Sequence, residues 1–372
     1  MNQAAKPAVN PLRQVHQLGQ SIWLDDIRRG WLRDGHLARL IADDALAGVT
    51  SNPAIFAKSI SEGAEYSDAI ATLARAGREI NDIYEALALE DVQAAADLFR
   101  ATYDAAGGAD GFVSLEVSPH LADDTKGTVV EGLRLWQAFD RPNAMIKVPG
   151  TEAGLPAITE LIAAGVNINV TLLFSVERYQ AVVDAYLAGL EQRVAAGKPI
   201  DKVASVASFF LSRIDTLVDA QLDKLNSAES KARRGRAAIA SARLAYQHFK
   251  QWTNSDRWRA LAAKGAKPQR LLWASTSSKD PAYQDTMYVE ALIAPDTVNT
   301  LPPATVDAYR DHGDPALRIE NDVAEAKETV QALSRMGIDL KVVSEQLERE
   351  GVKKFKEPFD ALLATLAKRA GK

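Results

Sequence analysis

Short stretches of alternating apolar and polar residues recur along the chain, separated by segments with helical spacing. The alternation predicts strands at Ser21–Ile27, Gly48–Asn52, Gly111–Ser118, Asn143–Pro149, Val166–Leu173, Lys202–Phe210, Gln269–Thr276 and Tyr288–Ala294. Between them, Val176, Tyr179, Val183, Tyr186 and Leu190 fall three or four apart, as do Leu211, Ile214, Val218, Leu222 and Leu225. Regular exchange of strand and helix implies a parallel sheet covered by helices. Eight strands close a barrel, so the expected fold is α/β, a single (β/α)8 TIM barrel; an open doubly wound sheet is the alternative on pattern alone. Residues 1–20 precede the first strand as an extension. From about Asn321 to Lys372 the pattern reads as further helices, with a turn near Gly351 and a break near Pro358, packed on the barrel. No linker rich in Pro, Gly or Ser divides the chain and no repeat is present, so residues 1–372 are expected to form one domain.

The parity of the strands carries chemical information. In VNINVTLL, Val166, Ile168, Val170 and Leu172 share one face, and Asn167, Asn169 and Thr171 share the other. Val113, Leu115 and Val117 alternate with Ser114, Glu116 and Ser118, Ile146 and Val148 flank Lys147, and Ile22 and Leu24 alternate with Trp23 and Asp25. Barrel lumens are ordinarily packed with branched apolar side chains, so a polar face on four strands needs a reason. These faces could look into solvent, as in an antiparallel sheet, but parallel sheets are normally covered on both sides.

Composition narrows the class. The 372 residues carry 44 basic and 49 acidic side chains, a net charge of −5, and 47% are hydrophobic. This is enough for a sizeable core and excludes wholesale disorder. No apolar run approaches the roughly 20 residues that span a bilayer, and the first 20 residues hold no signal-peptide core, so a cytoplasmic protein is expected, with no membrane partner. The chain has no cysteine, which excludes disulfides and thiol chemistry. Mild acidity gives no electrostatic case for nucleic acid. KARRGR (231–236), the densest basic run, reads better as a solvated helix face than as a phosphate or nucleic-acid patch. The five histidines form no HExxH pair, and the chain has no GxGxxG, P-loop or GxSxG, so metal, dinucleotide, NTPase and serine-hydrolase chemistries find no support. Asn169-Val-Thr171 matches a glycosylation sequon but sits in an expected central strand.

Lys147 is the most informative residue. A lysine between Ile146 and Val148 on a central strand is costly to bury charged and unpaired. An amine must be neutral to act as a nucleophile, and an apolar barrel wall disfavours the charged form. A structural ion pair with Glu116 or Asp25 is the competing role, and on the lysine alone the two readings stay open. Asp25 and Glu116 are candidate acids or bases. Two carboxylates and a lysine on three strands suit Schiff-base chemistry on a carbonyl substrate.

The motifs WLDDI (23–27), GVTSNPAIF (48–56), FVSLEVSP (112–119), IKVPGT (146–151), NINVTLLFS (167–175), ASFFLSRID (207–215) and LLWAST (271–276) together resemble the transaldolases, in particular a longer bacterial subfamily. The resemblance implies an eight-stranded barrel of the class I aldolase kind, with no metal or organic cofactor. Its substrates would be sugar phosphates of the pentose phosphate pathway. A dihydroxyacetone unit would pass from sedoheptulose 7-phosphate or fructose 6-phosphate to glyceraldehyde 3-phosphate or erythrose 4-phosphate. By motif, Lys147 is the Schiff-base lysine, and Asp25 the acid/base on the donor's C4 hydroxyl. Glu116 acts through a water that Thr171 positions. Asn52 and Asn169 hold the dihydroxyacetone portion, with Thr50 lining the same pocket, and Ser208 and Arg213 contact the phosphate end. Shorter transaldolases carry an arginine for phosphate after the seventh-strand Ala-Ser, where this chain has Ser275-Thr276-Ser277-Ser278-Lys279. Lys279 is the expected replacement, with Ser277 donating a hydrogen bond. A related aldolase releasing free dihydroxyacetone, or a catalytically silent barrel acting as a scaffold, are the alternatives. The sequence leaves monomer or homodimer open.

Overall fold

Seven of the eight expected strands form close to where alternation places them. The computed structural model describes residues 10–371; residues 1–9 of the expected extension, and Lys372, lie outside the described residues. The strands are β1 (Gln20–Leu24), β2 (Gly48–Val49), β3 (Phe112–Glu116), β4 (Ala144–Pro149), β5 (Ile168–Leu173), β6 (Ser205–Phe210), β7 (Arg270–Ala274) and β8 (Thr297–Leu301). Each pairs in parallel with its neighbours in chain order, and β8 closes on β1. The result is a closed (β/α)8 barrel rather than an open sheet.

The eighth strand is not at Tyr288–Ala294. That run begins as a short helix, Met287–Glu290, and Tyr288, Val289, Leu292, Ile293 and Ala294 are all buried. A short apolar run bounded by a proline can be a strand or a buried helical turn, and periodicity does not separate them. Here side chains of neighbouring strands take its carbonyls: Gln20 and Trp273 donate to Leu292 O, at 2.7 and 3.2 Å, and Asn299 donates to Tyr288 O at 3.1 Å.

The lumen is polar on several levels. At its floor Trp23 Nε1 donates to Asp110 Oδ1 at 2.8 Å, the Ser21 hydroxyl donates to the same carboxylate, and Arg270 Nη1 donates to Ser21 at 3.0 Å. Gly48 makes room for the indole. A Cβ there would stand 2.6 Å from the Trp23 ring and 2.8 Å from Phe112 O. Higher up, Asn169 Nδ2 donates to Ser114 Oγ at 3.0 Å and Ser208 Oγ donates to Asn169 Oδ1 at 2.7 Å, so β3, β5 and β6 are cross-linked through the lumen.

Two local expectations fail. In β5 the alternation breaks after Thr171: the pairing with β6 shifts between Val170 and Leu173, and Leu172 takes φ 64°, sparsely populated by side chains of this shape. This bulge aims Leu172 away from the apolar wall assigned to it and toward the barrel mouth, where it meets Gly351. KARRGR is not one solvated face either. Its helix ends at Ala232. Arg234 then pairs with Asp223 and Asp280, and Arg236 with Glu325.

The C-terminal segment packs on the barrel as expected, through helices Val323–Arg335 and Leu340–Ala370. The second has neither a turn at Gly351 nor a break at Pro358. Val343, Leu347, Gly351, Phe355, Phe359, Leu362 and Leu366 are buried at helical spacing along it. Packing along that face outweighs the hydrogen bond lost at the proline. At Gly351 the helix crosses so close that an added Cβ would lie 2.9 Å from Leu172 Cδ2. Ion pairs Arg178–Glu348 (3.3 Å) and His120–Asp360 (2.7 Å) fix it over the loops, and Arg369 donates to Ser67 Oγ at 3.0 Å. Among the described residues, no helix is long and apolar enough to cross a membrane.

Candidate active site

The C-terminal ends of the strands bring the ionisable residues together. Lys147 pairs in register with Glu116 on one side and Asn169 on the other, so the three side chains enter the lumen at one level. Lys147 Nζ lies 3.6 Å from Glu116 Oε2 and donates to Ser51 O at 3.1 Å. Both side chains are almost fully buried, at 4% and 2% exposure. An ion pair this deep adds little to stability, because desolvation offsets its attraction. Burial pushes the Glu116 carboxyl up to about 7 against the pull of Lys147. A proton can therefore reside on it at neutral pH.

Asp25 follows the last residue of β1. The next carboxylate, Asp26, is held by Arg28 at 2.7 Å. Asp25 instead turns inward and accepts from Thr50 Oγ1 at 2.8 Å, and Thr50 also lies 2.7 Å from Thr300 Oγ1 on β8. Burial raises the Asp25 carboxyl above its ordinary range, while Lys147 and the Thr50 hydrogen bond lower it. β2 is only two residues long; Thr50 N still donates to Leu24 O of β1 at 2.8 Å, and the chain then enters the helix capped by Asn52. Asn52 Oδ1 caps helix Pro53–Glu62 by accepting from Ile55 N at 3.0 Å, which leaves its amide nitrogen for the cavity it lines.

These groups surround a cavity of 180 Å³. Asp25, Thr50, Asn52 and Lys147 line it together with Ser208, Arg213, Ser277 and Lys279, and Asp25 lies within electrostatic reach of Lys147, Arg213 and Lys279. Arg213 heads helix Ser212–Leu225, stacks 5.3 Å from the Phe210 ring, and has a buried Nη1 without a hydrogen-bond partner. Lys279 donates to Ser277 Oγ. Burial and the nearby Arg213 charge both make its ammonium easier to deprotonate. Two cations facing one cavity call for an anion between them. The turn bearing Lys279 is held from behind, where Arg234 Nη2 donates to Asp280 at 2.6 Å and Tyr283 to Asp219 at 2.6 Å.

Glu116, Asn169 and Thr171 stand just beside the cavity walls. Both Glu116 oxygens and Thr171 Oγ1 are buried without hydrogen-bond partners. Three orphaned polar atoms next to an amine fit a bound water. Asn169 donates one amide hydrogen to Ser114 and accepts from Ser208, which leaves its second N–H for a ligand and directs the Ser208 hydroxyl at Asn169. A larger cleft of 640 Å³ counts Glu116 among its walls but holds neither Lys147 nor Asp25. Its most prominent charges, Arg134 and Glu85, neutralise each other. Among the described residues no cluster of three or more His, Asp or Glu could hold a metal ion.

Several lining residues lie outside the expected set, Thr300, Pro302 and Phe355 among them. Thr300 was hidden by the misplaced eighth strand. Phe355, on the C-terminal helix, lines the cavity with its ring centre 5.7 Å from Lys147 Nζ. Its helical apolar spacing marked it for burial, but nothing local said against what.

A family model described as transaldolase/fructose-6-phosphate aldolase matches residues 22–366. A protein of Saccharopolyspora erythraea named transaldolase is 52% identical over 356 residues, 95% of this chain and 96% of that one. One of Frankia alni with the same name is 48% identical over 364 residues, 98% of each chain. A third, named transaldolase 2, from Nostoc sp., is 49% identical over 370 residues, 96% of this chain and 97% of its own.

Proposed function

The chain belongs to the transaldolase/fructose-6-phosphate aldolase family, and on that premise we propose that it transfers a dihydroxyacetone unit between sugar phosphates through a Schiff base on Lys147. The observation that carries this reading is the buried amine 3.6 Å from Glu116, in a cavity that Asp25 and the two cations Arg213 and Lys279 also line. The donor is sedoheptulose 7-phosphate or fructose 6-phosphate, with its phosphate between Arg213 and Lys279 and Ser277 beside it. Lys279 supplies a point charge there, without the two-pronged geometry of arginine.

Shifting one proton from the Lys147 ammonium to the Glu116 carboxylate gives a neutral amine and a neutral acid, with no change in net charge. The amine attacks C2 of the ketose. Glu116, through the water that Thr171 helps hold, protonates the departing hydroxyl, and the iminium forms. Asp25 then takes the C4-hydroxyl proton, the C3–C4 bond breaks, and its electrons flow into the iminium. The aldose phosphate leaves and an enamine of dihydroxyacetone stays, its hydroxyls held by Asn52 and Asn169. Glyceraldehyde 3-phosphate or erythrose 4-phosphate accepts it by the reverse steps. Ser208 acts by orienting Asn169. The barrel and its C-terminal helix work as one domain, in the cytoplasm, where sugar phosphates are retained because their charge bars them from membranes.

Product analysis tests the assignment. Fructose 6-phosphate with erythrose 4-phosphate should give sedoheptulose 7-phosphate and glyceraldehyde 3-phosphate, with little dihydroxyacetone. Equal dihydroxyacetone formation with and without acceptor would make the enzyme an aldolase instead.

The Glu116 carboxyl also sets a pH dependence. Below about 7 it is protonated and has no room for a further proton. Above that value it is a carboxylate that can accept the proton shed as the imine forms. The kcat/KM of the donor should therefore rise with pH up to about 7. Glu116→Gln should lose that limb as well as activity. A limb unchanged in the variant would assign it to another group.

A further inference from the structure

The surroundings of the Lys147 amine are divided. On one side lie three buried polar atoms without hydrogen-bond partners, the Glu116 oxygens and Thr171 Oγ1, which suit a single held water. Over it stands the Phe355 ring, 5.7 Å from Nζ and itself 3% exposed, which offers water no hydrogen bond. The ring is brought there deliberately by the fold. Gly351, one turn earlier, lets the helix settle against Leu172 at the bulge of β5, and the ion pairs at Glu348 and Asp360 hold the helix on either side. A covering element that served only to bury barrel surface would not need to reach the lysine.

We propose that Phe355 is a specificity-determining residue that makes the enzyme a transferase, by keeping solvent from the lysine-bound enamine until an acceptor aldehyde arrives. The inference rests on the Schiff-base reading above. After C3–C4 cleavage the enamine has two fates. Carbon 3 can attack the acceptor's carbonyl carbon, forming a new C–C bond while the aldehyde oxygen takes a proton. Alternatively, carbon 3 takes a proton from solvent; water then adds to C2 of the resulting iminium, the C2–N bond breaks, and dihydroxyacetone and free lysine result. Both fates end in hydrolysis of an imine, for which the water beside Glu116 suffices. Only the second needs a solvent proton at carbon 3 before an acceptor has bound. An apolar ring between the amine and the mouth disfavours that step without hindering the inner water. The cation–π attraction of the ring for a positively charged nitrogen holds it in place over the iminium.

The test compares two substitutions of similar size, so that loosened packing is common to both. Phe355→Leu keeps an apolar cover and Phe355→Gln admits water. For each variant and the parent protein, the rate of dihydroxyacetone release from fructose 6-phosphate without acceptor is divided by the rate of transfer to erythrose 4-phosphate. The ratio should rise about tenfold or more in Phe355→Gln, a change of one decade in relative barrier, and stay within about threefold of the parent in Phe355→Leu. Equal ratios in all three proteins, or equal increases in both variants, would overturn the inference. Borohydride trapping with fructose 6-phosphate separates the two levels of argument. If the parent protein yields no adduct on Lys147, the Schiff-base reading fails and this inference with it. An adduct with an unmoved ratio in Phe355→Gln removes Phe355 alone.

Discussion

Lys147→Ala is expected to abolish transfer, with turnover falling at least about ten-thousandfold, because the covalent intermediate is built on its amine. Thr50, Asn52 and Ser208 offer hydroxyl and amide groups, and Lys279, the other amine lining the cavity, is engaged with Ser277 and assigned to the phosphate. The protein should still fold. Removing the amine leaves Glu116 without its cation, but its carboxyl is already raised to about 7 by burial and can be carried protonated. Borohydride reduction in the presence of fructose 6-phosphate should add a dihydroxyacetone-sized mass to the peptide bearing Lys147 in the parent protein, and none in the variant. An unmodified Lys147, or an adduct on another lysine, would sink the mechanism. Circular dichroism of the variant guards against mistaking unfolding for lost chemistry.

Asp25→Ala should separate the two halves of the donor reaction. Losing a general base at the C4 hydroxyl is expected to slow cleavage about a hundred- to ten-thousandfold. Imine formation depends on Lys147 and Glu116, so borohydride should still trap the uncleaved fructose 6-phosphate adduct, heavier than the three-carbon one. Accumulation of that adduct is the signature. Full turnover in Asp25→Ala would remove the role assigned to it. Asp26, the adjacent carboxylate, cannot substitute, since Arg28 holds it at 2.7 Å.

How far these residues could be read from sequence depended on whether their signal was local. Lys147, Glu116 and Asp25 stood out because a strand exposes alternate residues to opposite faces, and an ionisable residue among apolar neighbours is visible within five positions. The barrel followed from the count of such strands. Failures came where contacts distant in sequence decide. Tyr288–Ala294 looks more like a strand than Thr297–Leu301, which carries two threonines and an asparagine, yet the second has the partners, β7 and β1. The extra residue at Leu172 has no composition of its own; the bulge answers to Gly351, far along the chain. Gly351 and Pro358 both look like helix breakers, and a helix already pinned along its apolar face absorbs them. The same long-range contacts hid Phe355. Among the residues of KARRGR, charge density suggested one solvated helix face; Lys231 and Arg236 are exposed, but the helix ends at Ala232 and acids elsewhere in the chain hold Arg234 half-buried.

The closed floor of the lumen has a consequence for the order of events. Trp23, Ser21, Asp110 and Arg270 knit the bottom of the barrel shut, so traffic to the amine passes only through the mouth. The departing aldose phosphate and the incoming aldehyde must then share one doorway and one pair of cations, Arg213 and Lys279. They cannot be present together. The first product has to leave before the second substrate binds, and the enzyme must wait, covalently loaded, between them. On the proposed roles of these residues, its steady-state kinetics should be those of a double-displacement enzyme, in which a high concentration of either aldose phosphate competes for the doorway and inhibits the half-reaction it does not serve.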